Sequence, residues 1–312
     1  MNRTTMLFGE SGVGKTTQVG RFARYIHEKT GKPTRLITAD PGGTDPIQHY
    51  IDAGIIQVLS IVGAKEPIGL LRKLSRGDWI FDGRLAPSPG DVLRGVGGYA
   101  IEGLTSNGEL LLAGLRAKGI SLSQDPNYTF VEREETFYGS NMSYFGFVQE
   151  ECHDLVINFS RLPVERVLWT AHEAAGEDNQ RKPIYGPDIP GRKAIGRAHK
   201  WFGDVLHFDA FTVRVGESVD PVTAEKGVPV SFGRMYFVRH PDPITGVFYS
   251  AKARVPAEMH GELLKRWPGG FLTPRIVGSE MQNGLDAFLA FEDDLAVEAA
   301  GRLGVKPPTP SG

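Results

Sequence analysis

Apolar and polar positions follow two rhythms along this chain, one with a period near two and one near 3.6 residues. Thr5–Phe8 is a short apolar run and predicts a first strand. A Gly-rich turn follows, and then Val19, Phe22, Ala23 and Ile26 recur at helical spacing within Lys15–Thr30, which Gly31 and Pro33 close. Thr34–Thr38 and Ile55–Val62 predict the second and third strands, and Pro67–Leu74 a helix. Gly98–Ile101 predicts a short strand ending at Glu102. Ser106–Lys118 and Phe145–Leu162 carry the helical period, and Val164–Thr170 is again an apolar strand. From Val205 the texture changes: Val205–Val215, Gly233–Arg239 and Val247–Arg254 alternate in the manner of antiparallel strands. Ala257–Trp267 and Asp286–Leu303 predict the last helices.

Strands alternating with helices predict an α/β fold, a mainly parallel twisted sheet flanked by helices, with antiparallel strands added after residue 205. The pattern divides into a core over residues 1–256, a helical extension packed on it over 257–304, and a Pro-rich flexible tail over 305–312. Composition changes this picture little. The 312 residues carry a formal net charge of −2, so any nucleic-acid surface must be local. A single cysteine, Cys152, excludes an intramolecular disulfide and a multi-cysteine metal site. The eight histidines show no H-E-x-x-H spacing, so no zinc is expected. The N-terminus enters a strand with no signal-peptide apolar region, and no segment approaches the ~18 apolar residues of a membrane span. No membrane partner is expected, and the expected compartment is the cytoplasm.

The strongest chemical signal is Gly9-Glu10-Ser11-Gly12-Val13-Gly14-Lys15-Thr16, which fits G-x-x-x-x-G-K-[ST] without a gap and is followed by Thr17. Glycines let the backbone curl so that successive N–H groups point at phosphate oxygens, and the helix that follows adds its positive end. In this chemistry Lys15 reaches the β- and γ-phosphates and the Thr16 hydroxyl ligates Mg²⁺. The cofactors expected are therefore ATP, or a close relative, and Mg²⁺. A second acid is needed near the metal at the end of another strand. Glu102 in Tyr99-Ala100-Ile101-Glu102-Gly103-Leu104-Thr105-Ser106 is the candidate, and Asp40 is a further one.

With these motifs the chain resembles the RecA-like P-loop ATPases, over roughly the first strand to Arg254. The loop G-E-S-G-V-G-K-T-T is close to the RecA form, and the strand ending at Glu102 is similar to the family's Walker B strand. The compact single-domain forms encoded by bacteriophages, some of which serve in recombination and single-strand annealing, are the most similar within that group. The host cytoplasm would then be the compartment. The resemblance implies an ATPase that assembles into a ring or filament. It also implies that His172, in Trp169-Thr170-Ala171-His172-Glu173, senses the γ-phosphate in place of the usual Gln. Lys252 and Arg254, in Ala251-Lys252-Ala253-Arg254, are similar to a K-x-R pair that completes a neighbouring subunit's nucleotide site. One departure stands out: where the family carries a catalytic Glu after its second strand, this chain has Asp40-Pro41-Gly42-Gly43. Either Glu102 or Glu173 then orients the attacking water, or the protein hydrolyses slowly.

Between Arg181 and Lys200 lie Arg181, Lys182, Arg192, Lys193, Arg197 and Lys200, opposed by Asp188 alone and interleaved with Tyr185. Pro183, Pro187 and Pro190, with Gly186 and Gly191, predict a largely irregular segment. Cations for phosphates and a ring for base stacking suit single-stranded DNA; a solvated basic loop is the plainer alternative. The aromatic-rich stretch Ser123–Phe147 is also acidic, which favours packing over phosphate contact. The leading reading is an ATPase acting on single-stranded DNA, with an ATP-dependent assembly switch or a P-loop phosphotransferase as alternatives.

Overall fold

The first strand, β1 (Arg3–Phe8), shows how the core is built. Its side chains alternate across the sheet, so Met6 and Phe8 enter one hydrophobic layer and Leu7 the other, all fully buried. A strand buried on both faces reads as a continuous apolar run, which is why Thr5–Phe8 was legible. The structure, a computed structural model, describes residues 3–40, 43–64, 66–81, 84–86, 95–120, 131–133, 136–138, 141–178, 180–190, 192–219, 226–255, 259–277 and 280–302. Gly42, the tail 305–312 and most of the aromatic stretch 123–140 lie outside the described residues.

Around β1 stand β2 (Thr34–Thr38), β3 (Ile56–Ser60), β4 (Gly98–Glu102), β5 (Arg166–Ala171), β6 (Glu173–Glu177), β7 (Pro183–Pro187), β8 (Asp204–Val219) and β9 (Lys226–Tyr236). β10 (His240–Pro241), β11 (Phe248–Tyr249), β12 (Phe271–Leu272), β13 (Arg275–Val277) and β14 (Glu280–Gln282) complete the strands used below. The ten-stranded main sheet runs β14-β13-β9-β8-β1-β5-β4-β2-β3, with β12 also paired to β9. β8, β1, β5, β4, β2 and β3 are mutually parallel, and β9 turns back antiparallel on β8. The parallel core with a later antiparallel extension agrees with the sequence pattern.

The helices are α1 (Lys15–Thr30), α2 (Gln48–Asp52), α3 (Pro67–Leu74), α4 (Leu104–Lys118), α5 (Asn141–Ser160), α6 (Arg192–Ala198), α7 (His260–Arg266) and α8 (Leu285–Arg302). α1 buries Val19, Phe22, Ala23 and Ile26 and ends at Gly31, whose left-handed φ of 67° lets its N–H reach the His27 carbonyl. α8 lies against α1 and is tied to the sheet by ions. Arg166, on β5 and 1% exposed, donates to Glu292 at 2.7 Å and to Asp293 at 2.6 Å, while Lys29 reaches Asp293 at 2.6 Å and Glu165 at 2.5 Å.

Three expectations need correction. Arg181–Lys200 is ordered: β6 and β7 form an antiparallel hairpin, and α6 packs over it. Its prolines are compatible with a strand because Pro183 and Pro187 stand at the two ends of β7. Val247–Arg254 is not one strand; β11 joins β7 in a separate four-stranded sheet, and Lys252 makes an isolated bridge to Val205. The segment after residue 257 is not helical throughout, since β12, β13 and β14 add to the edge of the main sheet.

Candidate functional site

The C-terminal ends of β1, β2, β4 and β5 converge, which is where open α/β sheets bind ligands. The loop after β1 turns tightly against β8. A Cβ at Gly9 would stand 2.1 Å from the Phe208 carbonyl oxygen, so only glycine fits there. Gly12 and Gly14 adopt left-handed φ values of 80° and 99°, the curl that turns backbone N–H groups inward. Gly14 is also the N-cap of α1, so the positive end of a sixteen-residue helix faces the loop. Glu10 and Ser11 are exposed on the rim, while Val13 packs against the core beneath.

Lys15 Nζ donates to the Gly9 carbonyl at 2.9 Å and to the Glu10 carbonyl at 2.5 Å, folded across its own loop. Burial pulls its pKa down to about 8, against the opposing fields of Glu173, Glu102 and Glu10. The Thr16 hydroxyl donates to Glu102 Oε1. Glu102 is buried at the end of β4, and burial raises its pKa although the Thr16 bond favours the charged form. Its other oxygen, Oε2, is buried with no hydrogen-bond partner among the described residues. Asp40 stands close enough to raise the Glu102 pKa further, and its own N–H is held by Thr38 Oγ1 at 3.0 Å.

Ser11, Gly12, Gly14, Lys15, Thr16, Thr17, Asp40, Glu102 and His172 therefore line one cleft, of about 190 Å³. The Thr16 hydroxyl and the carboxylates of Asp40 and Glu102, the latter with an orphaned oxygen, form a hard oxygen set that suits Mg²⁺. Among the described residues no group of three or more His, Cys, Asp or Glu side chains could hold a metal alone. Phosphate and water oxygens would have to supply the remaining ligands.

Strand order and phosphate loop now stand together. β5 lies between the loop-bearing β1 and the acid-bearing β4, and antiparallel strands extend the sheet beyond β8. The chain has an α/β fold, a mainly parallel sheet with a P-loop after its first strand. No protein-family model matches it, and no curated protein does. Among solved structures it is similar to a KaiC-like protein from the hyperthermophilic archaeon Pyrococcus horikoshii. The identity is 14%, over 74% of this chain and 84% of that one, with a TM-score of 0.37. At that level the likeness carries no argument, and the P-loop reading rests on the chain's own geometry.

The remaining predicted residues distribute unevenly. His172 lies in the cleft. Burial and the nearby Lys15 charge lower its pKa, favouring the neutral ring. Its backbone N–H donates to Thr105 Oγ1 at 3.0 Å and its carbonyl accepts the Asp188 N–H at 2.8 Å, which pins the cleft to the end of β7. Lys252 and Arg254 lie away from the cleft. Lys252 lines a separate cavity, whereas Arg254 is exposed and its N–H donates to Asp204 at 2.7 Å. Arg181 and Lys182 stand exposed at the tip of the β6–β7 hairpin, and Arg197 is exposed on α6. Tyr185 is half-buried and stacked on Tyr249, with ring centroids 4.9 Å apart. Arg192 and Lys193 open α6, but their side chains lie outside the described residues.

Sequence reasoning missed a histidine pair beside the cleft. Glu173 Oε2 lies 3.0 Å from His207 Nε2, and His207 Nδ1 lies 3.1 Å from His240 Nε2. The imidazoles are sandwiched among Tyr236 and Tyr249, with His207 and Tyr249 stacked at 3.8 Å. Burial lowers the His240 pKa to about 4. His207 follows β1 in register, opposite Phe8, so its placement came from a strand pairing that no local motif announces.

Proposed function

We propose that this protein binds a nucleoside triphosphate with Mg²⁺ and hydrolyses it, as a RecA-like ATPase acting on single-stranded DNA. The observation that carries the reading is the cleft in which a glycine-cradled Lys15 meets the Thr16–Glu102 pair. The loop N–H groups and Lys15 would hold the phosphates; Thr16, Glu102 and Asp40 would hold the metal. When bound, Mg²⁺ neutralises charge on the phosphate oxygens.

Water activation falls to Glu173 in this reading. Glu102 accepts from Thr16 and would help hold the metal, which leaves it less free to take a proton from water. Glu173 is the acid whose field on Lys15 is largest, and His207 fixes its carboxylate from behind. His172 stands in the cleft to sense the transferred phosphate, and its tie to Asp188 links that event to the basic hairpin.

Two features support a neighbouring subunit. A cleft of about 190 Å³ is smaller than the ~300–1,000 Å³ of self-contained ligand sites, so base and ribose would lie on open surface that a second copy can cover. Exposed Arg254 would supply that copy's cation, as the resemblance implies. The same resemblance supports a phage-type role in recombination, annealing or replication. The exposed cations Arg181, Lys182 and Arg197 support contact with a phosphate backbone.

Glu173→Gln tests the assignment of water activation. It should leave ATP affinity within a few-fold and lower turnover by roughly 10²–10⁴, the usual range for a lost general base. Undiminished turnover would remove Glu173 from the mechanism.

A further inference from the structure

A second cavity, of about 510 Å³, opens between the tip of the β6–β7 hairpin, the end of α6 and residues 250–252. It shares no lining residue with the nucleotide cleft. Lys182, Lys200, Arg239 and Lys252 line it, with His199 in the wall. Among the described residues none of these four cations forms an ion pair within the 4.0 Å limit that the Arg166 and Lys29 bridges meet. The lining contains one carboxylate, Asp178, which feels Lys182 and Arg239 and offsets only part of their charge, and which is also held by its own turn. Its Oδ1 accepts the N–H of Gln180 at 2.7 Å and of Lys182 at 3.0 Å, closing the hairpin turn in which Arg181 takes a φ of 63°.

The cations converge closely enough to feel one another. Burial lowers the His199 pKa, and Lys252, Lys200 and Arg239 lower it further; burial and then Arg254 lower that of Lys252. Lys252 is half-buried and Lys182, Lys200 and Arg239 stand exposed around it, and gathering like charges in this way is unfavourable unless an anion offsets them. A second observation points the same way. Ser250, also in the lining, is 6% exposed, and its hydroxyl has no hydrogen-bond partner among the described residues. Buried hydroxyls without partners are uncommon and call for one. Four cationic donors and a free hydroxyl match a ligand made only of acceptors, and clustered Lys and Arg favour phosphate. The wall offers no Phe, Tyr or Trp ring on which a base could stack, so recognition is of phosphate rather than of base identity.

We propose that this cavity is a second phosphate-binding site, separate from the P-loop, that takes a run of phosphate groups: the polyphosphate of a nucleotide or the backbone of a single strand. The assignment moves Lys252 from a neighbour's nucleotide to an anion site of its own chain, and adds Arg239, Lys200 and Ser250 to it. β6 borders both sites, since it begins at Glu173 beside Lys15 and ends at the hairpin tip.

The test uses the full chain carrying Lys15→Ala, which disables the P-loop and leaves the second site intact. Tripolyphosphate and a thymidine oligonucleotide without a terminal phosphate are titrated by calorimetry into this variant. The same titrations follow with Lys182→Glu and Lys200→Glu added, and with the milder Lys182→Ala and Lys200→Ala pair. A control adds Lys265→Glu and Arg302→Glu, equal in charge change and placed on α7 and α8, where both side chains are more than half exposed. Unfolding midpoints confirm that each variant folds. At least one probe should bind the Lys15→Ala chain, at least tenfold more weakly once Lys182 and Lys200 are reversed, with a smaller loss in the alanine pair and little in the control. Tighter binding of tripolyphosphate identifies a nucleotide-like ligand; tighter, salt-sensitive binding of the oligonucleotide identifies a strand backbone. Failure of both probes to bind, or binding that reversal leaves unchanged, overturns the site. Neither result bears on the P-loop reading, which is judged with Lys15 intact.

Discussion

At the scale of single residues, Lys15 is the most informative group. Burial holds its ammonium at about 8, well below the ordinary lysine value of 10.5. A phosphate at Nζ favours the charged form and raises that value again. The sign follows directly. Below pH 8 the ammonium is already charged and binding needs no proton; above it, binding must take one up. ATP affinity should therefore fall as pH rises through about 8, by up to tenfold per unit. Calorimetry at about pH 8.5 in buffers of different ionisation enthalpy should show proton uptake. Observed heats that are the same in every buffer, with affinity flat from pH 7 to 9, would contradict the environment assigned to Lys15. Most of this residue's neighbourhood was legible in the sequence, because a P-loop is a local device: Gly9, Gly12, Gly14, Lys15 and Thr16 are fixed by one turn. His207 and His240 were not legible, because they meet Glu173 only through sheet pairing and stacking.

At the scale of elements, the same contrast holds. α1, β2 and α3 lie on the predicted bounds, since each carries a complete local signal: a periodic apolar face with a glycine stop, a fully buried run, or an N-terminal proline. The Arg181–Lys200 segment misled because its Pro and Gly content reads as loop. Those residues instead mark the ends of β7 and the close approach of α6, where a Cβ at Gly196 would stand 1.9 Å from the Glu177 carbonyl oxygen. α8 was visible as a helix, but its anchor was not. Nothing in the local pattern sets Glu292 apart from an ordinary exposed helix acid, yet it is 2% exposed and paired with Arg166. Breaking such a buried pair leaves a charge without its partner, at a cost of about 3–5 kcal/mol. Arg166→Met should lower stability by that amount in denaturant titrations. Arg166→Met combined with Glu292→Leu should recover much of the loss. A single variant as stable as the parent would show that Arg3 alone satisfies Glu292.

At the scale of the whole molecule, the proposed reaction lies between copies of the chain. Arg254 is exposed and does not line the P-loop cleft, so in the proposed function it acts on the cleft of a neighbouring copy. Arg254→Ala should lower turnover by roughly 10³-fold or more, the usual worth of such a cation. Mixing inactive Arg254→Ala chains with inactive Lys15→Ala chains should restore activity, because each then supplies what the other lacks. No recovery on mixing would place Arg254 outside the reaction. No helix of the described residues is long and apolar enough to cross a membrane.

In the proposed function the P-loop cleft hydrolyses ATP at a rate that single-stranded DNA governs. ATP turnover should therefore be measured on the purified chain with and without single-stranded DNA, and with and without Mg²⁺, beside the Lys15→Ala variant. The account predicts Mg²⁺-dependent hydrolysis that DNA stimulates and that Lys15→Ala abolishes. Tight ATP binding with no turnover under any of these conditions would contradict it and leave a nucleotide-driven assembly switch in its place.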